Sequence, residues 1–501
     1  MQKRLPKHLV IVGGGTAGWM SANLFAHYWS RYDVRITLIE SARIGTLGVG
    51  EGSTPFLKEF FQILGIEEQQ WMPACNATFK CGIRFPGWTS GTGSYFHPFY
   101  SDLDGKQAQE FFAQCNNRRA GHAIEVSPDP YFYATSLANR KKAPKTPTPG
   151  FDDFTYGYHF DAVLLARFLK QHATQHGVTH IDDIVQSVQL DKQGNIALLD
   201  TESHGPIRAD FFVDCSGFEA LLIQKTLGED LVAYSDQLFC DRAVAIQSAI
   251  DPGQIPCETL SMGLRHGWAW RIPLRNRFGN GYVYSSRFTD AEQAENELRE
   301  MLGESALDAP ALHLQWIPGR IAQHWKHNCL AVGLSQGFLE PLEAPMLFII
   351  QRTILGFIEQ YEQDSQRERF NAGINNMIDG TRDYLQAHYK INSREDTPFW
   401  RACRDNPAMS ETLQDILSAW KRSGNFDDTL AKHQQRLAYL KTSWYCLLAG
   451  KSYFNELQTI GADPKTRTPC ASSIAAATDS FFDHAHFLSA LYDKQHHENS
   501  I

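Results

Sequence analysis

The sequence predicts an α/β fold, a Rossmann-like nucleotide-binding domain joined to a mostly helical second domain. Three observations carry that expectation. The apolar run Leu9-Val10-Ile11-Val12 ends in Gly13, Gly15 and Gly18, and an amphipathic segment follows. A second apolar run, Val34 to Ile39, closes with Glu40. From about residue 346 to the end, apolar residues fall at helical spacing.

Strand, glycine turn, helix is the order that holding a dinucleotide pyrophosphate requires. Gly13 permits the tight turn, Gly15 lets the backbone approach the phosphates, and Gly18 lets the helix pack close to the strand. Thr16 and Ala17 open a helix whose free N–H groups and positive dipole suit the anion. Glu40 stands where an acid takes ribose hydroxyls, with Ser41 beside it. A glycine turn that binds nothing is the bland alternative, and the strand ending in Glu40 weighs against it. The motif does not separate NAD from FAD.

Helical spacing over 159–177 sets Ala162, Leu165, Phe168 and Leu169 on one face. Strands are expected near His180–Val188, Ile196–Asp200 and Asp210–Val213, the last leading into Asp214-Cys215-Ser216-Gly217. Small residues after a strand let the chain pass close to a cofactor. Ser216 and Gly217 are therefore grouped with Gly50, Gly333 and Leu334 as cofactor contacts. These features recur across the chain, so the nucleotide domain is discontinuous, 1–75 and 155–345. Residues 76–154 and 346–501 form the substrate-binding part. Within it, the Pro-rich loop Lys141 to Pro149 is expected to be mobile and exposed. Helices are expected over 347–363, 368–389, 410–422, 428–449 and 475–495, and the polar tail from Lys494 to Ser500 is expected to fray.

Composition narrows the function. The chain has 501 residues, enough for two or three domains. Its 47 basic and 56 acidic residues give a net charge of -9, which argues against a nucleic-acid partner. Ten cysteines without a C-x-x-C pair suggest neither a disulfide framework nor a zinc site, and so a reducing compartment. No apolar run reaches the roughly 18–20 residues that span a bilayer. The expectation is a cytoplasmic protein with no membrane and no metal. High aromatic content, 11 Trp, 18 Tyr and 31 Phe, suits a pocket that stacks planar ligands.

Three segments have residue types that can do chemistry. In Gly267 to Pro273, alternation puts Trp268, Trp270 and Ile272 on one face, which reads as a core stripe or as a wall between two pockets. In Ala77 to Phe85, Phe79, Cys81, Ile83 and Phe85 face a core and Lys80 faces the other way. That lysine is reactive only if its face is a cavity, where desolvation depresses its pKa. From Gly333 to Met346, two glycines, two prolines and two acids precede a long apolar helix. Backbone amides at such a turn can bind an anion, and acids there also complement the helix dipole.

Taken together, these residues resemble the flavin-dependent tryptophan halogenase family. Gly13 to Met20 resembles its FAD motif, and Trp268-x-Trp270-x-Ile272-Pro273 its W-x-W-x-I-P signature. Phe79-Lys80 falls on its essential lysine, and Phe338 to Glu343 on its F-x-E-P-L-E block, with Glu343 as the active-site glutamate. Arg382 to Tyr384, His388-Tyr389 and Arg394 to Trp400 resemble a late family segment. The resemblance implies an FAD-binding domain of the glutathione-reductase or flavin-monooxygenase kind. It implies that a separate reductase supplies reduced FAD, and that hypohalous acid made from chloride or bromide reaches an electron-rich aromatic through a tunnel. Lys80 would hold the oxidant, and Glu343 would polarise it or accept the ring proton. His97 and Phe99 match the substrate-stacking strip, with Trp444 and Tyr445 as further candidates. The substrate would be tryptophan, indole or an indole derivative, and relatives suggest a homodimer. One departure concerns halide: the family's Ser-Thr-Gly after the glutamate is replaced by Ala344-Pro345-Met346. Pro345 has no N–H to donate. The alternative function is a single-component FAD-dependent aromatic hydroxylase that oxidises NAD(P)H itself. A flavin-storing protein without catalysis ranks third.

Overall fold

The computed structural model describes residues 5–43, 48, 50–91, 93–151, 154–306, 308–361, 366–422, 424–455 and 471–498. The start of the chain builds β1 (His8–Val12), α1 (Thr16–Trp29), β2 (Arg35–Glu40), β3 (Gly50–Gly52), β4 (Thr78–Lys80), β5 (Gly82–Pro86) and β6 (Ser94–Pro98). Next come β7 (Gly157–Asp161), α2 (Ala162–Gln175), β8 (Thr179–Asp182) and β9 (Phe211–Asp214). The middle supplies β10 (Arg242–Ser248), β11 (Glu258–Gly263), β12 (Gly267–Pro273), β13 (Phe278–Tyr284) and β14 (Ala311–Gln315). Short strands β15 (Trp325–Lys326) and β16 (Cys329–Ala331) precede α3 (Met346–Tyr361), α4 (Arg367–Lys390), α5 (Lys441–Gly450) and α6 (His484–Glu498).

A six-stranded sheet has the order β15-β16-β9-β1-β2-β8. Its centre is parallel: β1 lies between β2 and β9, with Val12 opposite both Ile39 and Asp214. β1 is fully buried, so its continuous apolar run is what a central parallel strand needs. The glycine turn behaves as expected. Gly13 has φ +107°, and an added Cβ at Gly18 would lie 1.9 Å from the Gly13 carbonyl oxygen.

A seven-stranded sheet has the order β14-β10-β13-β12-β11-β5-β6. Strands from 82–98 therefore share a sheet with strands from 242–315. The alternation of β12 is expressed on two sides: Trp268, Trp270 and Ile272 join the main core, and Ala269 joins a separate cluster with Tyr282 and Leu298. A small sheet has the order β3-β7-β4. The expected single strand over 77–85 is thus two strands in two sheets. The chain crosses at Cys81, whose N–H donates to the Cys257 carbonyl at 2.7 Å.

Four expected elements differ. The strand over 180–188 breaks at Asp183, whose carboxylate accepts the amides of Ser203 and His204 and turns the chain. The helix over 428–449 becomes Phe426–Lys432 and α5, because Tyr439 between them stacks on Tyr384 at 3.8 Å. The helix over 475–495 becomes Ala471–Thr478 and α6. The gap between them answers the fourth difference. Ala143 N–H donates to Phe482 O and Phe482 N–H to Lys145 O, so the Pro-rich loop is docked rather than loose. Lys145 also pairs with Glu68 at 2.8 Å. Of the expected frayed tail, Lys494 to Glu498 continue α6, and residues 499 and 500 lie outside the described residues.

Candidate active site

β4 ends at Lys80, and the pleat turns its side chain toward the face shared by Thr78, His159 and Gly52. Gly52 leaves room there: a Cβ on it would lie 3.1 Å from Lys80 Nζ. Lys80 is 1% exposed, and Nζ stands 5.3 Å from the centroid of the Phe99 ring. Burial lowers its pKa to about 8, while the charge of Glu343 works the other way. The lysine therefore faces an interior, not solvent.

Glu343 enters the same interior from the turn before α3. Glu343 and Ala344 both have positive φ, 65° and 53°, so this turn is held in the left-handed region by two non-glycine residues. Glu343 is 4% exposed. His97, on β6, donates from Nδ1 to Oε1 at 2.8 Å and lies 3.0 Å from Oε2. His388 Nε2 on α4 lies 3.2 Å from Oε1. Burial alone would neutralise this carboxyl. The positive potential of His97, together with contacts from His388, outweighs that and holds it well below the usual carboxylate range. Burial takes His388 down to about 4. The site thus sets a buried amine and a buried carboxylate, both with lowered pKa, beside Phe99 and His97.

The tryptophan halogenase family model matches residues 8–463. The chain belongs to that family. It is 36% identical over 446 residues to the tryptophan 6-halogenase of Streptomyces toxytricini, covering 84% of this chain and 85% of that one. It is 33% identical over 508 residues to the tryptophan 7-halogenase of Lentzea aerocolonigenes, covering 94% and 93%. Among solved structures, the tryptophan C-6 flavin-dependent halogenase of taromycin biosynthesis superposes with a TM-score of 0.84 at 34% identity, covering 97% of this chain and 99% of that one. Like these relatives, the chain is a flavin-dependent halogenase and uses FAD and halide.

The glycine turn fits FAD. Nothing lies within 4 Å of the position a Cβ would take on Gly15, and α1 has no side-chain cap at that end, so its first amides stay open to a phosphate. Glu40 lies against Gly14, paired with Lys170 at 2.9 Å and His180 at 3.0 Å. Ser41 accepts the Arg43 amide. The Gly333-Leu334 turn packs on the same helix start: a Cβ on Gly333 would lie 2.7 Å from Ala17 Cβ. Residues 13–18, Glu40 and this turn would hold the cofactor. Two further expected contacts are tied into the frame. Ser216 bonds its hydroxyl to Asp214 at 2.6 Å and accepts the Leu221 amide. Gly50 packs against Gly279, as its missing side chain allows β3 to approach β13.

The structure separates the two late aromatics. Trp444 meets Tyr384 edge-on at 5.0 Å, and Tyr384 lies 6.1 Å from His97. Tyr445 turns away, packing on Phe112, Trp420 and Phe426 with its hydroxyl on Asp427 at 2.9 Å. Trp268, Trp270, Ile272 and Pro273 are buried, with the two indoles 6.2 Å apart and Trp268 6.4 Å from Trp88. Glu340 is buried with the Tyr389 hydroxyl at 2.9 Å, and burial raises its pKa to about 8.

Sequence reasoning missed Lys451. Its Nζ donates to the His388 carbonyl at 2.5 Å and lies 4.2 Å from the Trp88 ring. It stands where the ends of α4 and α5 meet, and both helix dipoles favour a cation there. A lone lysine closing the apolar run Cys446 to Gly450 was the one available signal. Among the described residues no helix is long and apolar enough to cross a membrane.

Proposed function

We propose that this halogenase acts on tryptophan, indole or an indole derivative, in the cytoplasm, with reduced FAD delivered by a separate reductase. The observation that supports it most is the buried pair of Lys80 and Glu343 beside Phe99 and His97. The chemistry supplied by bound reduced FAD is the oxidation of halide by oxygen to hypohalous acid. Every other task falls to the chain. The first amides of α1 and the turn at Gly333 bind the cofactor. Trp268, Trp270, Ile272 and Pro273 keep the aromatic apart from it. Lys80, an ammonium below about pH 8, donates a hydrogen bond that orients the oxidant. His97 and Phe99 pack against the electron-rich ring. Glu343, kept ionised by its histidine contacts, accepts the proton that the ring carbon loses.

The test is Lys80→Met supplied with chemically reduced FAD, oxygen, bromide or chloride, and a panel of indoles and phenols read by mass. Halogenation should drop by about a hundred- to a thousandfold, the scale of removing one preorganised donor. Undiminished product would remove Lys80 from the mechanism. Rapid NAD(P)H consumption by the purified protein alone, with oxygenated product, would favour a hydroxylase instead.

A further inference from the structure

The strand that carries Lys80 is an edge strand, paired with β7 on one side only. Opposite Phe79, Tyr158 turns its own N–H and C=O toward Ser53, at 2.9 Å and 2.8 Å. Phe79 N–H therefore faces away from β7. Its acceptor is His484 Nε2, at 3.2 Å. A ring nitrogen that accepts a backbone N–H carries no proton, so the imidazole proton sits on Nδ1 and donates to the Ile255 carbonyl at 3.0 Å. One neutral tautomer satisfies both bonds. With Cys81 N–H on Cys257 O, the amides on either side of Lys80 are both held from outside the sheet.

His484 is completely buried at the start of α6. The same helix sends Ser489 to Arg275 at 3.0 Å, and the Tyr492 hydroxyl to the carbonyls of Met72 and Ala77 at 3.0 and 2.9 Å. These anchors converge on the segment that leads into β4. α6 lies beyond residue 463, where the family match ends.

We infer that His484 is a positioning residue for Lys80: by holding the Phe79 amide it fixes the path of the edge strand and hence the aim of the ammonium. The inference rests on Lys80 acting as proposed above. Without His484 the Phe79 amide is a buried donor with no acceptor, and β4 turns outward to find one. Lys80 then addresses the oxidant from the wrong angle, and oxidant escapes unreacted.

The experiment compares full-length His484→Leu, His484→Gln, His484→Asn and Tyr492→Phe with wild type and Lys80→Met. In His484→Leu, kcat should fall by about tenfold or more while KM for the aromatic stays within about twofold. Oxidant captured by a scavenger in bulk solution should rise in step. Exchange of the Phe79 amide, followed in the cofactor-free protein, should speed up by about tenfold. Gln keeps an acceptor near the Nε2 position and should restore most of kcat, whereas Asn should not. Tyr492→Phe loosens α6 without touching Phe79 and should leave kcat within about twofold. A folded His484→Leu protein with normal kcat and normal Phe79 exchange overturns the inference. So does a Tyr492→Phe protein that reproduces the loss. If His484→Leu does not fold, equal activity of the Gln and Asn variants overturns it. Halogenation that survives in Lys80→Met defeats the reading of the site itself. Loss in Lys80→Met with an unaffected His484→Leu defeats this inference alone.

Discussion

Lys80 has its charge in a place that disfavours charge. Its pKa is about 8 in the folded protein against an ordinary 10.5. Between those values the unfolded chain binds the proton and the folded one does not, so stability rises with pH from about 8 to 10.5. Below pH 8 the folded state carries the full penalty of a buried ammonium. Lys80→Met removes it and should raise stability at pH 7 by up to about 3 kcal/mol while abolishing halogenation, as calorimetry and product assay would show. A melting temperature lower than wild type would mean that the ammonium has a partner that stabilises it. Lys80, His97, Phe99 and Glu343 could be singled out because each sits in a short motif of distinctive residues, and the structure brings Lys80 to Phe99 and Glu343 to His97. His388 and Lys451 were not, because their roles depend on contacts between α4, α5 and a turn more than forty residues away. Adjacent helical residues point about 100° apart, so Trp444 meets Tyr384 while Tyr445 packs on Phe112 and Trp420.

Elements with strong periodicity read well. β1, α1, β2 and α2 to α4 lie within a few residues of expectation, because each buries a continuous run or a regular face. The breaks at Asp183, Tyr439 and Phe482 did not read, since amphipathy continues across them and tertiary contacts make the stop. The tryptophan face of β12 depends on its neighbour as much as on itself. An added Cβ at Gly281 on β13 would lie 2.1 Å from a ring carbon of Trp270. Gly281→Ala should therefore displace that indole and cost about 1–3 kcal/mol in urea unfolding, with more oxidant escaping per reduced flavin. Unchanged stability would show that the indole has space to move. The turn before α3 has a second consequence. Pro345 has no amide, and the Ala344 amide is already bonded to the Pro341 carbonyl at 3.0 Å. Fewer donors remain for halide than in a Ser-Thr-Gly turn. Bromide, which gives up its hydration more readily, should outcompete chloride when both are present in equal amounts. Mainly chlorinated product in that competition would refute this.

Across the whole molecule, burial pushes titratable groups in opposing directions, and their balance sets the response to acid. Five histidines are driven below their ordinary 6.5 by burial: His172, His388 and His484 to about 4, His324 to about 3, and His159 well below. His8, His180 and His266 shift the same way. Among the described residues six acids are driven up by burial, Glu340 to about 8, Glu51 to about 7 and Asp104 to about 6, with Asp214, Glu258 and Asp383 moved in the same direction. Near pH 5.5 the unfolded chain protonates these histidines and ionises these acids. Unfolding then takes up protons at the shifted histidines and releases them from the shifted acids, and the histidines are the more numerous. Stability should consequently rise with pH from about 5 toward 6.5. Glu343 and Asp183 do not alter this, since both are held low and stay ionised throughout that range. Above pH 6.5 the histidine contribution is complete, and ionising Glu340 and Glu51 in the folded state brings stability down again toward pH 8. Replacing Glu340 by Gln removes one proton that the native state holds, so the climb on the acid side should steepen and the decline toward pH 8 should shrink. Melting temperatures measured across pH 5 to 8 for both proteins decide it. A wild-type melting temperature that falls from pH 5 to 6.5 would mean that these histidines are charged inside the fold, and the electrostatic account of the interior around Glu343 and Phe79 would have to be abandoned with them.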